Sequence, residues 1–172
     1  TLGWKSYGKN FRDNRCLMYY ITFNDTPSGI YQSQVIDVVT YLSDLGDAEV
    51  KLIAFLPYLN FKENKKKIKM QLPSAVVFPI FAGITRWRML KPLLKLITKK
   101  GEVAICRGPI ATELALGSFR KVVYDGRAAV KAEVEQFNVT RNKQLGVDFI
   151  KAEKNAVLQS DYRIAVSNKL VD

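Results

Sequence analysis

Leu17-Met18-Tyr19-Tyr20-Ile21-Thr22-Phe23 is a run without a single charge, and Asn24-Asp25-Thr26-Pro27-Ser28-Gly29 follows it as a turn of small and polar residues. From Ile30 onward the pattern changes: Ile30, Val35, Val38, Val39, Leu42 and Leu45 recur largely at three- and four-residue spacing until Gly46. A continuously apolar strand needs cover on both faces, which is the habit of parallel sheets. A strand, a tight turn and an amphipathic helix make the first half of a βα unit. The rest of the chain decides whether that unit repeats.

Short, mostly apolar runs at 50–56, 75–81, 103–106, 121–124 and 162–166 are the other strand candidates. Helical patterns separate most of them: a stripe of Trp87, Leu90, Leu94 and Ile97 closed by Gly101, then 110–116, 128–137 and Lys143–Gln159. The lysine-dense stretch between the second and third strands reads as a connector without a helix. The order β-α-β-loop-β-α-β-α-β-α-α-β predicts an α/β fold with a doubly wound, mostly parallel sheet in a three-layer sandwich, because right-handed crossovers place helices on both faces. Residues 1–15 read as an N-terminal extension and 16–172 as the domain. After the last strand, Ser167 or Asn168 would cap a helix that Asp172 leaves incomplete, so a second domain is expected to follow.

The chain has 172 residues, 48% hydrophobic and 25% charged, which excludes disorder and lets one domain stand without a disulfide or metal staple. It has no histidine. Ser-His-Asp and Cys-His catalysis, histidine-ligated metals and imidazole base chemistry are all excluded with it. Cys16 and Cys106 lie in apolar stretches with no CxxC spacing, as expected of buried, reduced thiols. No run has the roughly 18 to 20 apolar residues of a membrane-spanning helix, and no signal-peptide pattern is present, so a cytoplasmic location is expected.

The net charge of +11 is concentrated. Residues 1–50 carry −2, residues 51–100 carry +11 and residues 101–172 carry +2. Such a field suits a polyanionic neighbour such as nucleic acid, an anionic bilayer or a phosphorylated ligand, or else a solvated basic face.

Ligands of open parallel sheets bind beyond the carboxyl ends of the strands, near the reversal of strand order. The turn at Ser28-Gly29, aimed at a helix start, offers backbone N–H groups and a partial positive charge to a phosphate, or simply caps the helix. No GxGxxG or GxxxxGK[ST] motif is present. Arg107-Gly108-Pro109 follows the fourth strand and Asp125-Gly126-Arg127 the fifth. Two arginines at strand ends suit phosphate or carboxylate recognition; an Arg107 to Asp125 ion pair is the structural alternative.

The stretch from Tyr20 to Val35, read with Val122-Val123-Tyr124-Asp125-Gly126-Arg127-Ala128-Ala129-Val130, resembles the amino-terminal domain of the family 4 glycosyltransferases of GT-B fold. The resemblance covers roughly residues 16–172. It implies one Rossmann-like half of a two-domain enzyme, the acceptor side of a retaining, metal-independent transferase using a nucleotide-diphosphate sugar. Ser28 and Gly29, with the helix start behind them, would then approach the diphosphate or the transferring sugar, and the catalytic candidates Asp125, Arg127 and Arg107 would line the acceptor side. Where the family has a Gly-Gly pair this chain has Ser28-Gly29, and where many members have a histidine it has Arg107 or Gly108. The resemblance implies a sugar or lipid-linked acceptor and no cofactor or metal. The isolated domain is expected to be inactive.

Two other classes are weighed against it. A nucleic-acid-binding module fits the basic middle but lacks interleaved exposed aromatics, and a stand-alone flavodoxin-like or receiver-like module lacks clustered acids at its strand ends. The basic segments, with Lys62, Lys65, Lys66, Lys67 and Lys69 in one and Arg86, Arg88, Lys91, Lys95, Lys99 and Lys100 in the next, are read as a surface for an anionic membrane. Trp87, Met89 and Leu90 would enter the interface, or Trp87 and Leu90 would pack on the sheet.

Overall fold

The computed structural model describes residues 16–81, 84–98, 102–127 and 143–165. Its strands are β1 (Cys16–Phe23), β2 (Ala48–Leu56), β3 (Val76–Pro79), β4 (Val103–Arg107), β5 (Lys121–Gly126) and β6 (Tyr162–Ala165). All pair in parallel, in the order β3-β2-β1-β4-β5-β6. Strand order therefore reverses between β1 and β4. The Rossmann-like, doubly wound sandwich expected from the sequence is the fold of the chain.

Alternation along the central strands explains why they read as unbroken apolar runs. Ile21, Phe23, Ile53, Phe55, Ala104 and Cys106 face one core, with Trp87, Leu94 and Leu114. Tyr20, Leu52, Ala54 and Leu56 face the other, with Tyr31, Val35, Val39 and Ile68. Helices on both faces leave no side of the sheet to water, so both sets are apolar toward the carboxyl ends, with the charges of these strands held to Glu49 and Lys51 in the first half of β2 and to Arg107 at the end of β4.

The first crossover is more complex than a regular helix. It begins as α1 (Gly29–Tyr31), widens into a π-helical turn (Gln32–Ile36) and continues as α2 (Asp37–Asp44), with right-handed helical backbone at the junction residues Tyr31 and Asp37. Gly46, at φ +79, follows its end as the sequence suggested. The buried positions are Tyr31, Val35, Ile36 and Val39, whereas Ile30 and Leu45 are exposed. The wide turn carries one residue more than an α-helical turn, which brings Val35 and Ile36 inward together and displaces the regular stripe.

Residues 57–75, read as a connector, contain a helix, α3 (Phe61–Gln71). Its inner face is Phe61, Asn64 and Ile68, of which Asn64 and Ile68 are buried. Because a polar residue takes one of the inner positions, the apolar stripe is too thin to stand out among lysines. Lysine is nonetheless a good helix former, and Glu63 supports the helix by pairing with Lys67 one turn on, at 2.7 Å.

After β3, a 3-10 segment (Ile84–Leu90) leads into α4 (Lys91–Ile97), so the stripe expected as one helix is split. Trp87, Leu90 and Leu94 are buried on the sheet, and Trp87 is thereby withdrawn from any membrane interface. The remaining helices are α5 (Pro109–Ala115) and α6 (Lys143–Gln159). The expected helix at 128–137, the stop at Gly101, the N-terminal extension and the tail from Ser167 lie outside the described residues. Cys106 is buried as expected, but Cys16, at the outer end of β1, is exposed. Burial drives the Cys106 thiol far above its ordinary value.

Two measurements check this packing. Leu94→Ala should cost about 3 kcal/mol in urea unfolding, since it opens a cavity in a close-packed core, whereas Leu96→Ala, two residues along on the solvent side, should change stability by less than about 0.5 kcal/mol. A thiol-titrating disulfide reagent should label Cys16 rapidly in the folded chain and Cys106 only on unfolding.

Candidate functional site

The carboxyl ends of the strands are level. The Asn24 amide donates to the Phe55 carbonyl at 2.8 Å, Ile80 to Leu56 at 2.9 Å and Gly108 to Asp125 at 3.0 Å, so the loops after β1, β2, β3 and β4 leave the sheet along one edge. Asn24 turns the chain with a left-handed backbone, φ 61. Gly108, at φ +82 and ψ 170, does the same after β4 in a conformation suited to glycine. Ser28 caps the following helix: its Oγ accepts the Tyr31 amide at 3.4 Å.

At the reversal between β1 and β4 these loops enclose a cleft of about 210 Å³, lined by Asn24, Asp25, Thr26, Ser28, Ile30, Tyr31 and Arg107. Its position follows from topology alone, because the connections from β1 and β4 depart to opposite faces of the sheet and leave a gap between them. Of the residues singled out in the sequence, Ser28 and Arg107 lie on its walls. Gly29 starts the helix beside it, and a Cβ built there meets nothing within 4 Å. The fold does not demand glycine at 29; the space in front of the helix start is simply open.

Arg107 is held on two sides. Its Nε donates to Asp25 Oδ2 at 3.1 Å and its Nη2 to Gln34 Oε1 at 2.6 Å. Its Nη1 is buried with no partner among the described residues. An unpaired buried donor costs about 1–3 kcal/mol, and an oxyanion that reached it would remove that cost.

The Arg107 to Asp125 ion pair suggested by sequence does not form, although the two residues are register partners on β4 and β5. Partners are exchanged instead. Asp125 is buried, and its Oδ2 accepts from Arg127 Nε at 2.8 Å and from the Tyr20 hydroxyl at 3.2 Å. Tyr20 also lies within reach of the Gln34 carbonyl, at 3.3 Å, and of Arg127 Nη2, at 3.5 Å. A continuous polar chain thus runs Asp25, Arg107, Gln34, Tyr20, Asp125, Arg127. Asp125 and Arg127 belong to the same strand-end cluster as Arg107 but do not line the cleft described above.

Burial, reinforced by the Asp125 charge, raises the Tyr20 hydroxyl above its ordinary value, so it stays protonated and available as a donor. Burial also pushes Tyr31 up to about 12. For Asp25, desolvation is the largest influence and raises its carboxyl, against the pull of Arg107 and, more weakly, Arg127. A cleft wall with an uncompensated donor, a helix start and a carboxyl reluctant to ionise favours an anion over a cation. Among the described residues no cluster of acidic or thiol groups could hold a metal.

Asp25, Gln34 and Tyr20 were not among the sequence candidates. Asp25 was findable, since it lies two residues beyond β1 at the reversal point. Gln34 and Tyr20 carried no such signal, because one lies inside the first crossover and the other in the middle of β1, and only the folded chain brings them together. No family model matches this chain and no curated protein matches it.

The raised Asp25 carboxyl has a pH signature. Between 3.8 and its raised folded value the folded state binds a proton that the unfolded state does not, so this group makes stability rise as pH falls through the folded value. Carboxyl-carbon NMR should place the Asp25 midpoint above 3.8, and Arg107→Gln should move it higher still by removing the pull of the guanidinium. A lower midpoint in the variant would contradict the assigned balance.

Proposed function

We propose that this domain binds a phosphorylated small molecule at the β1/β4 reversal, and that it does so as the acceptor-side half of a retaining, metal-independent glycosyltransferase using a nucleotide-diphosphate sugar. The observation that carries the reading is the placement of the Ser28-capped helix start and Arg107 on the walls of one cleft. The first supplies backbone N–H groups and the positive end of a helix, the second a permanent charge with a buried donor to spare. The glycosyltransferase part of the reading rests on the sequence resemblance, and the strand order and the open space before Gly29 support it.

In this reading catalysis is electrostatic. As the bond between sugar and diphosphate lengthens, negative charge grows on the leaving oxygens and positive charge on the sugar; groups fixed in place before the reaction stabilise the first without reorganising. Arg107 and the helix start serve that role. Asp25 holds the Arg107 guanidinium from one side and Gln34 from the other, so the charge cannot swing into solvent. Asp125, buried and bonded through one oxygen to Tyr20 and Arg127, fixes Arg127 at the strand end on the acceptor side. With no histidine in the chain, no step uses an imidazole. The donor contacts would come mainly from a second domain facing this one, so the 172-residue chain alone is expected to turn over no nucleotide sugar.

Amide NMR titration with uridine diphosphate and with inorganic pyrophosphate tests the site. Shifts should concentrate at residues 24–30 and 107–108. Arg107→Gln should weaken binding about tenfold or more, the loss expected for a charge-assisted contact of about 1.5–3 kcal/mol. Gly29→Ala should leave stability unchanged, because its added methyl meets no neighbour, yet weaken binding by occupying the open approach. Shifts scattered away from the β1–α1 loop, or none at millimolar ligand, would remove the proposal.

A further inference from the structure

We propose that the outward face of α3, together with the loop before it, is a docking surface for an anionic lipid bilayer. Phe61, Asn64 and Ile68 point α3 at the sheet, which leaves Lys62, Lys66 and Met70 on the opposite side and Lys65 and Lys69 on its flank. Five lysines lie in this helix against one glutamate, and Glu63 is already engaged by Lys67. The segment is thus a field of positive charge with a net +4, five lysines less one glutamate.

Apolar side chains sit beside that field in an exposed position. Tyr58 and Leu59, in the loop between β2 and α3, are 74% and 78% exposed, and Met70 on the helix is 74% exposed. Phe81, just past β3, is 70% exposed and leaves the sheet at the same level as the β2 loop, because Ile80 bonds to Leu56. Single exposed apolar side chains are ordinary, but apolar groups gathered at the rim of a charged face are the mark of an interaction surface.

The combination selects the partner. A bilayer interface takes lysines at its charged headgroups and Leu, Tyr, Phe and Met at the boundary of its acyl chains. A nucleic-acid backbone would use the lysines but gain nothing from Leu59 or Met70, and a second copy of this chain would meet lysine with lysine. Of the three residues the sequence offered to such an interface, Trp87 and Leu90 are buried on the sheet, as the alternative reading had it, while Met89 is exposed; beside α3 the exposed apolar groups are Tyr58, Leu59, Met70 and Phe81. The surface requires nothing of the cleft, so its success or failure is separate from that of the proposed ligand site.

Co-sedimentation of the 172-residue chain with vesicles tests it, using phosphatidylcholine alone and an equal mixture of phosphatidylcholine and phosphatidylglycerol. Sedimentation with the anionic vesicles only is expected. A Lys62→Glu, Lys66→Glu variant should lose about 25-fold or more in affinity, at about fivefold per basic residue near an anionic leaflet. A Tyr58→Ser, Leu59→Ser variant should lose about tenfold and become more sensitive to salt. Both sets lie on the surface, and unfolding curves matching wild type would exclude a folding defect. Arg107→Gln should sediment like wild type. Absence of binding at low salt, equal binding by the lysine variant, or tighter binding to a single-stranded RNA homopolymer that the Tyr58, Leu59 variant leaves intact would each overturn the proposal.

Discussion

A guanidinium cannot shed its charge, so placing Arg107 at the end of a central strand with only 12% of its side chain exposed is the demand around which this edge of the molecule is organised. Water can no longer hydrate it fully, and the protein must supply acceptors at fixed positions. Asp25 supplies one from the β1 loop and Gln34 another from the first crossover helix. Gln34 lies within the π-helical turn, and from there its side chain reaches Arg107 while its carbonyl accepts from Tyr20. Tyr20 then ties the arrangement to Asp125 on β5 and to Arg127 just past its end. One buried charge links three strands and a helix into a single network.

The two-sided burial of β1 and β2 made the architecture legible. Once Leu17 to Phe23 and the run around Ile53 are recognised as having no solvent face, helices must cover both sides, and right-handed crossovers leave few ways to arrange them. α3 escaped because its contribution to burial is small. Ile68 is its one large buried apolar side chain, and a lysine-rich segment with so thin a stripe has the composition of a loop. The π-helical turn escaped for a different reason: a three- or four-residue period cannot register a single added residue, so Ile30 and Leu45 seemed to belong to the inner face when Tyr31 and Ile36 do.

At the site, position was legible and partnership was not. Ser28, Arg107, Asp125 and Arg127 could be named because they follow or end strands that converge on one edge. Which acid would meet which arginine depended on side-chain reach across two elements: Arg107 and Asp125 are register neighbours, yet Asp25 and Arg127 lie close enough to claim them. Spacing along the chain holds no information about that competition. Trp87 illustrates the converse case, since an aromatic beside three cations looks like an interface residue until its burial is seen, with Arg88 lying over its ring at 4.3 Å.

A π-helical turn is an α-helix with one residue inserted, which gives the gene a short route to losing this network. Deletion of a single codon within Gln32–Ile36 would let the segment close into a regular α-helix, with α1 and α2 kept in phase and only the residues between them redistributed around the turn. Val39 and the helix end could keep their places, and the chain would still fold, but Gln34 or its replacement would turn away from Arg107 and Tyr20. In a lineage of such chains, an alignment gap of one residue at this point would mark the members that had kept the scaffold and lost the polar network.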